Sequence, residues 1–113
     1  MKTLTAPRGA ALLDRIRTTL GLHESELADL FGVRRQSIQE WRTKGVPAAR
    51  RASVERLVDL AHVLRKEIIE SRIPEIVRTP DEWLDGKNML ETIEQRGIDP
   101  IYAYLRRLFS YSK

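Results

Sequence analysis

Apolar residues recur along this chain at three- and four-residue intervals, the spacing that lines one face of a helix. Leu12, Leu13, Ile16 and Leu20 predict a first helix over about Arg8 to Leu20, after a loose arm from Met1 to Pro7. Gly21 follows as a left-handed cap. Leu27, Ala28 and Phe31 mark a second short run starting near His23 to Ser25, with Glu24, Glu26 and Asp29 favouring its N-terminal turns. Gly32 and Val33 intervene, and Ile38 and Trp41 mark a third run over about Arg34 to Lys44. Gly45, Val46 and Pro47 end it. Val54, Leu57, Val58, Ala61, Leu64 and Ile68 then give a broad stripe on a long helix from about Pro47 to Glu70. The stripe exceeds what closing a small domain requires, so its distal half needs cover from the remaining chain, a second copy, or both.

The second half is more broken. Arg72 to Arg78 is expected as a connector interrupted by Pro74. Thr79 as N-cap, Pro80 in the first turn and Glu82 completing a capping box predict a short helix carrying Trp83 and Leu84. Asp85-Gly86 ends it. Met89, Leu90 and Ile93 place another helix over about Lys87 to Arg96, stopped by Gly97, and Asp99-Pro100 opens a last one reaching about Tyr111. The fold class is all-α: residues 1–70 as an N-terminal unit with an extended last helix, and residues 71–113 as a smaller helical C-terminal region.

The stretch Glu24 to Trp41 organises the chain. Two short helices that cross steeply need a small residue where they meet, and Ala28 supplies it. The turn needs a residue tolerant of positive φ, and Gly32 supplies that. Trp41 could be imagined as a wedge between bases, but it holds the last apolar position of the pattern and is expected in the core, as is Ile38.

Composition sharpens this picture. The 113 residues, 42% hydrophobic and 32% charged, fit one globular domain or a small domain with a dependent extension. There is no cysteine and only two histidines, so a disulfide or thiolate metal site is excluded and no metal or other cofactor is expected. His62 is read as a surface or core residue. No stretch approaches membrane-spanning length, and no apolar run follows Lys2, which points to the cytoplasm. The charge is +4 overall but uneven. From Arg34 to Arg56 seven basic residues (Arg34, Arg35, Arg42, Lys44, Arg50, Arg51 and Arg56) face two acids, Glu40 and Glu55. That window carries +5 and the rest of the chain −1, the footprint expected of a surface for a polyanion. Enzyme chemistry is not expected: no Gly-rich phosphate loop or nucleophile–His–acid set stands out.

LHESELADLFGVRRQSIQEWRTKGVP, from Leu22 to Pro47, resembles the Xre-type, lambda-repressor-like helix-turn-helix family. The resemblance covers about a quarter of the chain. It implies that the helix from Arg34 to Lys44 lies in the major groove of double-stranded DNA, with its first residues at base edges. Matched position by position, Arg35, Gln36 and Glu40 fall where bases are read. Arg can bridge guanine O6 and N7, and Gln can pair with adenine. Arg34 falls where the backbone is touched, with Ser37, Gln39, Arg42 and Lys44 as further backbone candidates. Arg50 and Arg51 open the long helix where the family approaches phosphates. One departure is clear. The family often has a phosphate-touching Gln near the start of the first motif helix, and here Glu24 stands there, which a phosphate would repel.

PDEWLDGKNMLETIEQRGIDPIYAYLRRLFSY, from Pro80 to Tyr111, resembles more loosely the C-terminal domain of Xre/MbcA/ParS-type antitoxins. Asn88 and Met89 stand where that family has a proline. The resemblance implies dimerisation and contact with a cognate toxin; the bland alternative is a helical cap over the long helix. On the last helix Ile101, Leu105 and Leu108 suffice for one packing face, widened by Tyr104 and Tyr111. Tyr102, Arg106 and Phe109 fall on another side and are the candidate partner-binding residues. Two functions are therefore expected: a dimeric repressor acting by operator occupancy, or an antitoxin that neutralises a toxin protein and represses its own operon.

Overall fold

The expected helical spacing is realised. The computed structural model describes residues 5–109. In chain order it has α1 (Ala6–Leu20), α2 (Glu24–Phe31), α3 (Arg35–Lys44), α4 (Ala48–Glu67), a 3₁₀ turn (Glu70–Arg72), α5 (Ile73–Val77), a 3₁₀ turn (Glu82–Leu84), α6 (Met89–Arg96) and α7 (Asp99–Phe109). The fold is all-α. Among the described residues the one extended pairing is an isolated antiparallel bridge between Asp81 and Lys87. No helix among them is long and apolar enough to cross a membrane.

The first three helices pack as their spacing demands. α1 lies across α3 and α4, and α2 against α3. Leu13, Ile16, Leu27, Ile38 and Leu57 are fully shielded where they meet. Each such side chain contributes about 1.5–3 kcal/mol by leaving water. Ala28, the small residue expected where α2 and α3 meet, is buried. Phe31 and Trp41 meet edge to face with ring centroids 5.5 Å apart, so Trp41 is core and no wedge. Gly32 takes φ +65°, and its N–H closes on the Asp29 carbonyl. Val33 N–H bonds the Ala28 carbonyl at 3.1 Å, so the turn satisfies the end of α2 without side chains.

Several boundaries differ from expectation. α1 begins at Ala6, with Pro7 in its first turn, so only residues 1–4 of the expected arm fall outside the described residues. α4 stops at Glu67 and spans about 30 Å. Its buried stripe is Val54, Leu57, Leu60, Ala61 and Leu64; Val58 and Ile68 are only partly covered. The expected connector is helical. Pro74 does not break it but sits in the first turn of α5, where a missing N–H costs nothing. The cap expected at Thr79 is at Asp81, whose carboxylate accepts from the Trp83 N–H at 2.8 Å. Thr79 instead turns its hydroxyl back to the Glu75 carbonyl. Asn88 caps α6 and forms a capping box with Glu91.

The buried cluster continues without a gap from Leu12 to Leu105, through both halves of the chain. The corner after α1 joins them. Gly21 has φ +67°, and a Cβ there would lie 2.7 Å from Pro74. Arg78 reaches the same corner. Its guanidinium donates to the carbonyls of Leu20, Gly21 and Pro74 and to Glu26 Oε1, the last at 2.8 Å. Two of those carbonyls are orphan acceptors at the end of α1.

Candidate nucleic-acid interface

The α3 helix offers one face to the core and the opposite face to solvent. Ile38 and Trp41 are buried; Gln36, Gln39, Glu40 and Thr43 recur at three- and four-residue intervals on the exposed side. Arg34 is the N-cap in extended conformation, and Arg35 is the first helical residue. Both side chains are exposed, and neither has an ion-pair partner among the described residues. Lys44 is likewise exposed in the last turn, and Ser37 is half-buried. The structure therefore brings Arg34, Arg35, Gln36, Gln39, Glu40 and Lys44 onto one accessible helix. Thr43 belongs to the same face and was missed from sequence. Its hydroxyl bonds back to the Gln39 and Glu40 carbonyls, so it reads as an ordinary helix residue until the core face is known.

Arg42 is a correction. Expected at the DNA backbone, it is only 17% exposed and is held between two carboxylates from different helices. One amino group pairs with Asp14 of α1 and the other donates to Glu24 Oε1 at 2.8 Å. Burial alone would lower its pKa; the bonds and charges of Glu24 and Asp14 more than offset that, and the net shift is upward. The second oxygen of Glu24 accepts from the Gln39 amide at 2.9 Å. Glu24, whose charge sat oddly with a phosphate site, thus belongs to a brace that fixes α3 against α1 and α2.

Arg50 and Arg51 are also partly committed. Arg50 donates to the Phe31 carbonyl at 3.0 Å and lies 5.9 Å from the centre of the Trp41 ring, tying the start of α4 to the ends of α2 and α3. Arg51 pairs with Glu55 one turn on, at 3.4 Å. Of the seven basic residues in the window, Arg34, Arg35 and Lys44 are exposed with no ion-pair partner among the described residues. Arg56 pairs with Asp99 at the start of α7.

At the other end, Tyr102 and Phe109 do not lie away from the core, as expected; both are half-buried against it. Burial raises the Tyr102 pKa, and nearby Asp59 adds to this while Arg56 opposes it. Those two residues place Tyr102 beside α4. The expected packing residue Leu108 is instead 48% exposed, and Tyr104 takes the buried place. The Tyr104 hydroxyl donates to Asp81 Oδ2 at 2.8 Å; burial first, then that bond and charge, push its pKa up to about 12. Arg106 is exposed, and Tyr111 lies outside the described residues. Arg107 stacks over the Trp83 ring at 4.2 Å, and Trp83 is 53% exposed. The sequence pointed to neither Trp83 nor Arg107 as surface features, because their contact spans two elements.

Among the described residues no three His, Cys, Asp or Glu side chains converge as a metal site. No protein-family model, curated protein or solved structure matches this chain.

Proposed function

We propose that the protein is a sequence-specific DNA-binding regulator that acts by occupying an operator, with α3 in the major groove. The observation that carries this reading is the start of α3. Arg34, Arg35 and Gln36 are exposed together at a helix N-terminus, on a helix whose other face is anchored by Ile38 and Trp41. Such an end carries partial positive charge and suits approach to a phosphate-lined groove. Phosphate contacts by Arg34 and Lys44 would supply affinity, and Arg35, Gln36 and Glu40 base preference.

Footprinting over the protein's own promoter region at moderate salt tests the reading, and no protected site there would end it. Arg35→Ala should cost about 1–3 kcal/mol of binding and relax one base pair. Lys44→Ala should weaken all sequences alike and reduce the salt slope by about one unit. Arg42→Met should not lower the salt slope by the unit that a phosphate contact carries, because the Arg42 side chain is held by Asp14 and Glu24. One such head covers one half-site, so the operator-bound form is a homodimer with heads about 34 Å apart. Sedimentation that stays monomeric into the millimolar range argues against it.

A second reading, an antitoxin that occupies a toxin protein and represses its own operon, is favoured by the exposed Trp83, stacked under Arg107, and the exposed Leu108. Trp and Arg are enriched at protein contacts. Trp83→Ala with Leu108→Ala should abolish capture of the toxin while leaving DNA binding intact; retained capture removes this support.

A further inference from the structure

The brace around Arg42 reaches the exposed face of α3 at one side chain, Gln39. Glu24 Oε1 is taken by Arg42, and Arg42 is anchored on its other side by Asp14. Glu24 Oε2 is left for Gln39. An ionised carboxylate can only accept hydrogen bonds. The Gln39 amide must therefore turn its nitrogen toward Glu24, which leaves its carbonyl oxygen clear of the carboxylate on an exposed side chain. A free surface glutamine samples both orientations; this one is biased to a single orientation by Glu24, which Arg42 and Asp14 in turn hold in place.

We propose that Gln39 is a base-reading residue for adenine, its amide preset by the Asp14–Arg42–Glu24 relay. The inference rests on the DNA-binding reading of α3 and names a contact within it. First, the orientation suits a base edge. The free carbonyl oxygen can accept from the adenine N6 amino group, and the remaining amide N–H can donate to N7. Second, the orientation does not suit the backbone. A phosphate could use only the one remaining N–H, beside the Glu24 carboxylate, which repels a second anion. Gln39 also lies beside Gln36 and Glu40 on the exposed face, so its reach is toward the same groove. Presetting matters because the amide has no rotamer to give up at the moment of binding, and because the flipped amide, which would suit a different pattern of donors and acceptors, is removed.

The test is selection of bound duplexes from a randomised pool, followed by titration of the best site and its single-base variants, for three proteins. The wild type should select an A·T pair at one position. Gln39→Ala, an exposed change that disturbs no core contact, should lose about tenfold affinity for that site and select any base there. Glu24→Gln, which has an amide where the carboxylate was, should bind all sequences somewhat more tightly through its lost negative charge, yet relax the same single position. Preferences assigned to Arg35 and Gln36 should be unchanged in both. If Gln39→Ala keeps the wild-type preferences, Gln39 reads no base. If Glu24→Gln keeps the strict A·T choice while Gln39→Ala loses it, Gln39 reads the base without the relay and the presetting is wrong. A wild type that selects no sequence at all fails the DNA-binding reading itself, before either variant is made.

Discussion

Gly21→Ala is expected to lower the unfolding free energy by about 3 kcal/mol, while Gly32→Ala costs only about 1 kcal/mol. The two glycines have nearly the same backbone, φ +67° and φ +65°, so the intrinsic penalty of a left-handed alanine is common to both. Their surroundings differ. Nothing lies within 4 Å of a Cβ at Gly32, whereas at Gly21 two atoms of Pro74 lie 2.7 Å away. Alanine at 21 must therefore either push α5 off the end of α1 or distort the cap. The excess of the first loss over the second measures the seating of Pro74 alone. Equilibrium urea unfolding of the two variants gives both numbers; equal losses would mean that the C-terminal half does not rest on this corner.

That corner also separates what the sequence made legible from what it did not. The cap at Gly21, the turn at Gly32 and the apolar faces of α1 to α3 are written in local spacing, because one helix turn fixes which residues share a side. What Gly21 meets is not local. Pro74 looked like an interruption because proline removes a donor, yet in the first turn of a helix that donor is unused anyway. The charged residues show the same limit. Arg34 and Arg42 are identical in sequence terms, two arginines within one basic run. They part company only because Asp14 and Glu24, on two other helices, come within reach of one and not the other. Spacing along α3 gives the side on which Arg42 sits; it cannot give the carboxylates waiting there. Tyr102 and Leu108 exchange their expected roles for a related reason. The helical period of α7 was clear, but which of its sides is covered depends on contacts with distant elements, among them the Tyr104–Asp81 hydrogen bond and the Arg56–Asp99 pair, which join residues 23 and 43 positions apart.

Arg78→Met should cost about 2 kcal/mol at neutral pH, and less in acid. Methionine keeps most of the stem's packing and removes the guanidinium. Lost with it are a charge-assisted bond to Glu26 and bonds to the Leu20 and Gly21 carbonyls at the end of α1. Bonds to charged groups contribute about 1.5–3 kcal/mol when shielded, and the figure is set toward the low end because both side chains are about a third exposed, 34% and 31%. The pH dependence follows from Glu26. Burial raises its pKa, but the His23 backbone bond and the Arg78 charge and hydrogen bond outweigh that, and the net shift is below the usual 4.5. A carboxylate with a depressed folded pKa stabilises above its unfolded value and loses that contribution as pH falls through the folded value. Removing Arg78 removes part of the depression, so the gap between wild type and variant should narrow as the medium is taken below about pH 4.5. The residue is also the main polar tie between the two halves, so amide exchange in α5 and α6 should accelerate more than in α3. Urea unfolding at neutral and acid pH, paired with hydrogen exchange, decides the matter: a loss that is the same at both pH values would place the effect in the carbonyl bonds alone, and unchanged exchange in α5 would show that the halves are held together by their shared apolar core.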